Sequence, residues 1–196
     1  MENKNNWASA APTLNLIFGM LSIMFAALFL GYLKPSAVYI LGLIQIGVWP
    51  GYLIGSLIML RSGDIVGGNT FFYFATFFGL APGLVTVGTY LADVFGWAYD
   101  PKILGIMWLS VGLTLTFTIP AFIKSELVTF LVIAAAGIAI DFIGLAYLFT
   151  GYAQTFNTIA GVLLFFVGVG GIYQAVAGIL AGAGIKLPLG KPIVKS

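Results

Sequence analysis

The chain contains no cysteine and no histidine. That excludes disulfides, thiolate and imidazole metal ligands, Cys or His nucleophiles and a histidine pH switch. No cofactor or metal is expected. Charge is also scarce, since Asp, Glu, Lys and Arg make up only 7% of the 196 residues. A soluble globule cannot be clothed with so few. A membrane enzyme is not expected on similar grounds: one acid alone stands in the membrane interior, so paired acid and base groups are missing there, and a Ser-Lys arrangement would need a buried lysine that the apolar runs lack. Alternation of polar and apolar residues is absent too. The run "LIFGMLSIMFAALFLGY", residues 16–32, is continuous, which argues against a barrel strand. There is no low-complexity linker and no internal repeat. "MENKNNWAS" lacks a basic region leading into a short apolar core and cleavage site, so the first hydrophobic segment reads as a retained span.

What is present is apolar: 61% of residues are hydrophobic and the mean hydropathy is +1.10. The solvent for most of this surface is lipid. A hydrocarbon core about 30 Å thick takes roughly 20 apolar residues per helical span. Charges and turn residues cut the chain into six such stretches, at about 12–33, 37–60, 65–91, 103–123, 127–149 and 157–181. Irregular backbone cannot face lipid, so all six are expected as helices of one integral membrane domain spanning residues 1–196. The breaks fall at "KPS", "RSGD", "DVFGWAYDPK", "KSE" and "FTGYAQTFN".

Six spans place both termini on one side, together with the second and fourth connections. That side collects Lys4, Arg61, Lys124, Lys186, Lys191 and Lys195, against Lys34 and Lys102 opposite. The basic excess marks a cytoplasmic face in a multi-pass protein of the cell membrane. The basic tail "KLPLGKPIVKS" suits a solvated end facing anionic lipid, and no nucleic-acid partner is expected. Trp7, Trp97 and Tyr99 suit the membrane interfaces.

The second span carries "GVWPGYLIG", with Gly47, Gly51 and Gly55 on one helical face. Small-residue stripes of this kind let helix backbones approach, although the same face can line a pore. Pro50 within it removes a backbone bond and predicts a kink. The last span has a second cluster, "GVGGIYQAVAGILAGAG". At the start of the third span, "RSGDIVGGNTFFYFATFF" offers Asp64 as a helix cap, a first turn favourable to an anion, and Asn69 and Thr70 as deeper donors.

The order of these small motifs resembles the acetate uptake transporter family, which includes bacterial succinate and acetate permeases. Its N-terminal Asn-Pro-Ala-Pro-Leu-Gly-Leu signature, leading into a Phe-Gly pair, is similar to "SAAPTLNLIFG", which keeps Ala11, Pro12, Phe18 and Gly19 but departs at Ser9, Ala10 and Thr13. Its Gly-Asn/Asp-Thr-Phe block resembles "GDIVGGNTFFYFATFF" through Gly63, Asp64, Gly67, Phe71, Phe77 and Phe78. Its last helix and Leu-Pro-Ile-Gly tail resemble "AGVLLFFVGVGGIYQA" and "LPLG" through Ala160, Gly161, Gly168, Ile172, Tyr173, Leu187 and Pro188. Gly178 lies near a position where many members have glutamate.

The resemblance implies a homohexameric ring in which each protomer has its own narrow path for acetate or a similar small monocarboxylate. It also implies an apolar constriction made by Phe18, by Phe74 where the family has tyrosine, and by a third residue at Ala135 or Ala136 where the family has leucine. An alanine there widens the neck, and Phe74 lacks the hydroxyl that the family's tyrosine carries.

The polar inventory constrains the solute independently. No Lys or Arg lies within the spans to neutralise a di- or tricarboxylate. Thr13, Asn15, Asn69, Thr70 and helix N-termini offset only part of the cost of one anion in low dielectric. A small monocarboxylate is favoured, crossing as the anion, with a proton, or as the neutral acid. Asp141, in "GIAIDFIGLAY", lies a little beyond the midpoint of the fifth span. An ionised carboxylate at that depth costs about 2.5–3.5 kcal/mol on insertion scales, so it is either a proton-coupling or gating site, or hydrogen-bonded to a neighbouring helix at Tyr147, Thr150 or Gln174. Gln45 and Gln174 likewise demand partners. Two other functions fit the composition: a urea- or amide-type channel for small neutral solutes, and a non-transporting membrane scaffold or accessory subunit whose glycine stripes serve assembly.

Overall fold

The computed structural model describes residues 7–194. Lys4 and Lys195, counted above on the cytoplasmic side, lie outside that range. Among the described residues six helical spans are long and apolar enough to cross a membrane: Ala11–Phe29, Pro35–Arg61, Ile65–Phe95, Lys102–Phe122, Leu127–Leu148 and Thr150–Gly182. Their regular cores are α1 (Ala11–Phe29), α2 (Val38–Arg61), α3 (Ile65–Phe74) and α4 (Ala81–Phe95) in one interrupted span, α5 (Lys102–Thr118), α6 (Leu127–Leu148) and α7 (Ala153–Gly182). Large apolar side chains such as Phe117, Phe166 and Ile179 point outward and stay exposed, as lipid-facing residues do.

The ends of the spans follow local chemistry. The first stops four residues short of its apolar run because Gly31 takes a left-handed φ of +75° and the Tyr32 and Leu33 amides turn back onto the Ala27 carbonyl. The third runs past residue 91 to Phe95, where Gly96 at φ +68° lets the Trp97 amide bond the Ala92 carbonyl. Pro120 brings α5 into a 3-10 turn over Ile119–Phe122. Pro50 does not break its span, since α2 stays α-helical from Val38 to Arg61.

The interruption in the third span was not expected from the apolar run. Residues Ala75–Leu80 form a π-helical turn between α3 and α4. Pro82, in the first turn of α4, has no amide hydrogen to give the carbonyl four residues back, that of Phe78. The side chain of Gln45 on α2 donates to that carbonyl instead, at 2.8 Å. Gln45 is wholly buried, so its amide answers a vacancy in the ladder of the neighbouring span.

Helix pairing is dominated by glycine. A Cβ at Gly19 of α1 would lie 2.8 Å from the Gly168 carbonyl and the Ile172 amide of α7, and one at Gly171 would lie 3.0 Å from the Asn15 carbonyl. On α2 and α4, Gly42 and Gly83 meet backbone to backbone, each with a built Cβ 2.9 Å from the other's carbonyl. Between α5 and α6 the contact uses Gly105 and Gly112 on one helix and Gly137 and Gly144 on the other. The stripe on α2 is split: Gly55 sits against Leu14 and Gly51 against Ile17, both on α1, while Gly47 faces open space.

Alanine at Gly144 would place a Cβ 2.6 Å from the Leu109 amide nitrogen, backbone that cannot rotate away. Gly144→Ala is expected to cost about 1–3 kcal/mol in thermal unfolding in detergent. Gly47→Ala is expected to leave the midpoint unchanged or raise it slightly, because its Cβ meets nothing.

Candidate functional site

A cleft of about 1020 Å³ opens at the end of the bundle that holds both termini and the second and fourth connections. Its walls come from α1 (Pro12, Asn15), α3 (Thr70), α6 (Thr129) and α7 (Gln174), and its mouth carries Asp64, Lys124, Glu126 and Lys186. Phe18 and Phe71 lie at its apolar end with Val132 and Ile133 of α6. The C-terminal segment forms one wall. It is pinned where the Val128 amide donates to the Leu189 carbonyl, the Val194 amide to the Ile123 carbonyl, and the Tyr173 hydroxyl to the Pro188 carbonyl.

Beyond that end the rings close. Phe18 and Phe74 stack with centroids 4.6 Å apart and planes 18° from parallel, and Phe78 meets both edges at 5.9 Å. Phe25 and Tyr52 extend the cluster, Phe25 at 5.4 Å from Phe78 and Tyr52 at 6.5 Å from Phe74. Phe18, Phe74, Phe78 and Tyr52 are at most 1% exposed. α1 contributes Phe18 and Phe25 one face apart by seven residues, and the π turn contributes Phe78 on the same side as Phe74. The stack has no charged member and offers a narrow, dry barrier.

The residues singled out from the sequence fall into three places. Phe18, Asn15 and Thr70 share the cleft, and Phe74 stacks directly on Phe18. Thr13 is exposed and does not line the cleft. Asn69 is exposed as well, with its amide donating to the Ile65 carbonyl at 2.8 Å, and lines a separate recess of about 190 Å³ with Tyr73, Thr114 and Thr118. The Thr70 hydroxyl donates to the Val66 carbonyl at 2.8 Å, so Thr70 meets the cleft with its oxygen as an acceptor. Ala135 is half-buried and packs at the edge of the core, whereas Ala136 is wholly buried. Val132 and Ile133, one turn earlier, are the α6 residues beside Phe18 in the cleft.

Asp64 caps α3 by accepting the Gly67 amide at 2.8 Å, so the first turn that invites an anion is served by the protein's own carboxylate. Gln174 accepts from the Thr129 hydroxyl at 2.8 Å and donates to the Gly170 carbonyl at 3.3 Å, bridging α6 and α7 at the cleft wall. Asp141 lies elsewhere, between α5 and α6. Its Oδ2 accepts from the Thr116 hydroxyl at 2.8 Å, and its Oδ1 is buried beside Gly112 without a partner. The partner is on α5, not Tyr147, Thr150 or Gln174.

Four members of this site were not singled out: Val132, Ile133, Tyr52 and Pro82, which leaves the Phe78 carbonyl to Gln45. A signal existed for the last. A proline four residues after a buried aromatic, facing a glutamine in an otherwise apolar helix, marks an orphan carbonyl and its partner.

Bundle and cleft together define a six-span, all-helical membrane protein with a wide polar mouth at one end and a stacked aromatic closure within. The fold is that of the bacterial acetate channel SatP, whose solved structure superposes with a TM-score of 0.79 over 93% of this chain and 99% of that one, at 20% identity. No protein-family profile and no curated relative matches the sequence.

Thr116→Val would leave the Asp141 carboxyl without a hydrogen bond at the α5–α6 contact. It is expected to cost about 1–3 kcal/mol, and Thr158→Val, whose exposed hydroxyl donates back to the Gln154 carbonyl of its own helix, to cost much less; thermal unfolding of the two variants side by side reads the difference.

Proposed function

We propose that this protein carries acetate or a similar small monocarboxylate across the membrane by conduction through a path inside each protomer. The observation that carries the reading is the cleft that narrows onto the stacked Phe18–Phe74 pair. The mouth balances Lys124 and Lys186 against Asp64 and Glu126, and no charge stands among the rings. This arrangement offers a wide polar mouth and then admits only solutes small enough, and with little enough charge, to cross an aromatic neck. The likeness to SatP supports the same solute class, and with the sequence motifs it supports membership of the acetate uptake transporter family.

Three finer parts belong to the same proposal. The termini face the cytoplasm, as the basic residues at that end imply, so the wide cleft opens inward. The chain assembles as a homohexameric ring with one path per protomer, and the open small-residue face at Gly47 is a surface suited to close helix packing. Conduction is favoured over proton symport because Asp141 is hydrogen-bonded between α5 and α6 and does not line the cleft.

In proteoliposomes, labelled acetate is expected to enter saturably and to equilibrate, with Asp141→Asn keeping most of the flux. Accumulation driven by an inward proton gradient and lost in Asp141→Asn would instead establish symport. Uptake of neutral amides without pH dependence would favour a neutral-solute channel, and no flux at all would favour a scaffold. Phe18→Ala removes one ring of the stack and is expected to admit propionate and butyrate at rates closer to that of acetate, read by competition between the labelled acids.

A further inference from the structure

Two phenols flank Phe74: the Tyr73 hydroxyl is bound to the Val111 carbonyl, whereas that of Tyr52 has no hydrogen-bond partner although the residue is wholly buried. Buried hydroxyls are seldom left unpaired, because the lost bonds to water are not replaced. A phenylalanine would fill the space without that penalty. The ring lies 6.3 Å from that of Phe71 and 6.5 Å from that of Phe74. Phe71 is itself a wall of the cleft, so Tyr52 stands one ring behind that wall. The same helix face continues to Gly55, which holds α2 tightly against Leu14 of α1 and fixes the ring where it stands.

We infer that Tyr52 is the hydrogen-bond donor of the neck: its hydroxyl binds the carboxylate of the passing monocarboxylate as water is shed at the Phe18–Phe74 stack, and so sets affinity for carboxylates over uncharged solutes of the same size. The assignment rests on the transport reading above. It gives the neck a polar contact that neither Phe18 nor Phe74 supplies. A phenol is suited to the task, since it donates to an anion without adding a fixed charge that would trap it.

The test is Tyr52→Phe, which removes one oxygen and leaves the ring. Because the hydroxyl has no partner in the protein, the variant is expected to unfold at the same temperature as the unsubstituted protein or slightly above it. Its half-saturating acetate concentration in proteoliposomes is expected to rise about tenfold, as loss of a hydrogen bond to a charged group implies. Uptake of acetamide, which brings no charge, is expected to change far less. The double variant Tyr52→Phe with Phe74→Tyr returns a hydroxyl to the adjacent ring and is expected to recover part of the acetate affinity. Unchanged acetate kinetics in Tyr52→Phe would overturn the assignment while leaving transport intact. So would an equal loss for acetate and acetamide with a lowered unfolding temperature, which is the mark of a packing role. Absence of saturable acetate flux in the unsubstituted protein sinks the transport reading itself, and the assignment with it.

Discussion

Lipid gives apolar helices no reason to associate, so the bundle depends on how closely its backbones can approach. Glycine supplies that approach at nearly every pairing: Gly19, Gly168 and Gly171 between α1 and α7, Gly42 and Gly83 between α2 and α4, and Gly105, Gly112, Gly137 and Gly144 between α5 and α6. Dispersion is strongest where such surfaces meet without gaps, and each contact fixes the rotation of its helix. The aromatic closure follows from this. Phe18 precedes Gly19, and with α1 seated on α7 through that glycine the Phe18 ring is turned toward Phe74 on the other side of the helix.

The polar residues in the membrane interior answer a second constraint, that each hydrogen-bonding group must find a partner within the protein. Pro82 deprives the Phe78 carbonyl of its amide, and Gln45 replaces it across a helix boundary. Thr129 and Gln174 join α6 to α7, and Thr116 and Asp141 join α5 to α6. The Tyr73 hydroxyl donates to the Val111 carbonyl in the same manner, tying α3 to α5. Four buried atoms escape this pairing among the described residues: the Ser22 hydroxyl on α1, Gln45 Oε1 and the Tyr52 hydroxyl on α2, and Asp141 Oδ1 on α6.

Much of this was legible in the sequence, for definable reasons. Six spans follow from run length and sparse charge, and the Asp64 cap from its place before a helix. The close packing of the last span follows from its glycines, of which Gly168, Gly170, Gly171 and Gly178 have near neighbours and Gly182 has none. Phe18 and Phe74 came from motif resemblance, and the structure puts their rings in contact. The π turn was hidden because hydropathy does not register a missing amide. The glycine pairs of α5 and α6, each seven residues apart, carried a packing signal that single spans do not reveal until the partner is known. Tyr52 and Ile133 were illegible for a simpler reason: in a chain this rich in apolar residues, a ring or branched side chain at the neck has the same composition as one against lipid.

The C-terminal segment sets a term of a different kind. Residues 186–192 wall the cleft and are held by backbone bonds to residues 123 and 128, yet they are translated after all six spans. The mouth therefore takes its final shape only when this segment has docked on the helices that precede it. The cleft's outer wall is thus lent by a segment that lies later in the chain than every helix it meets.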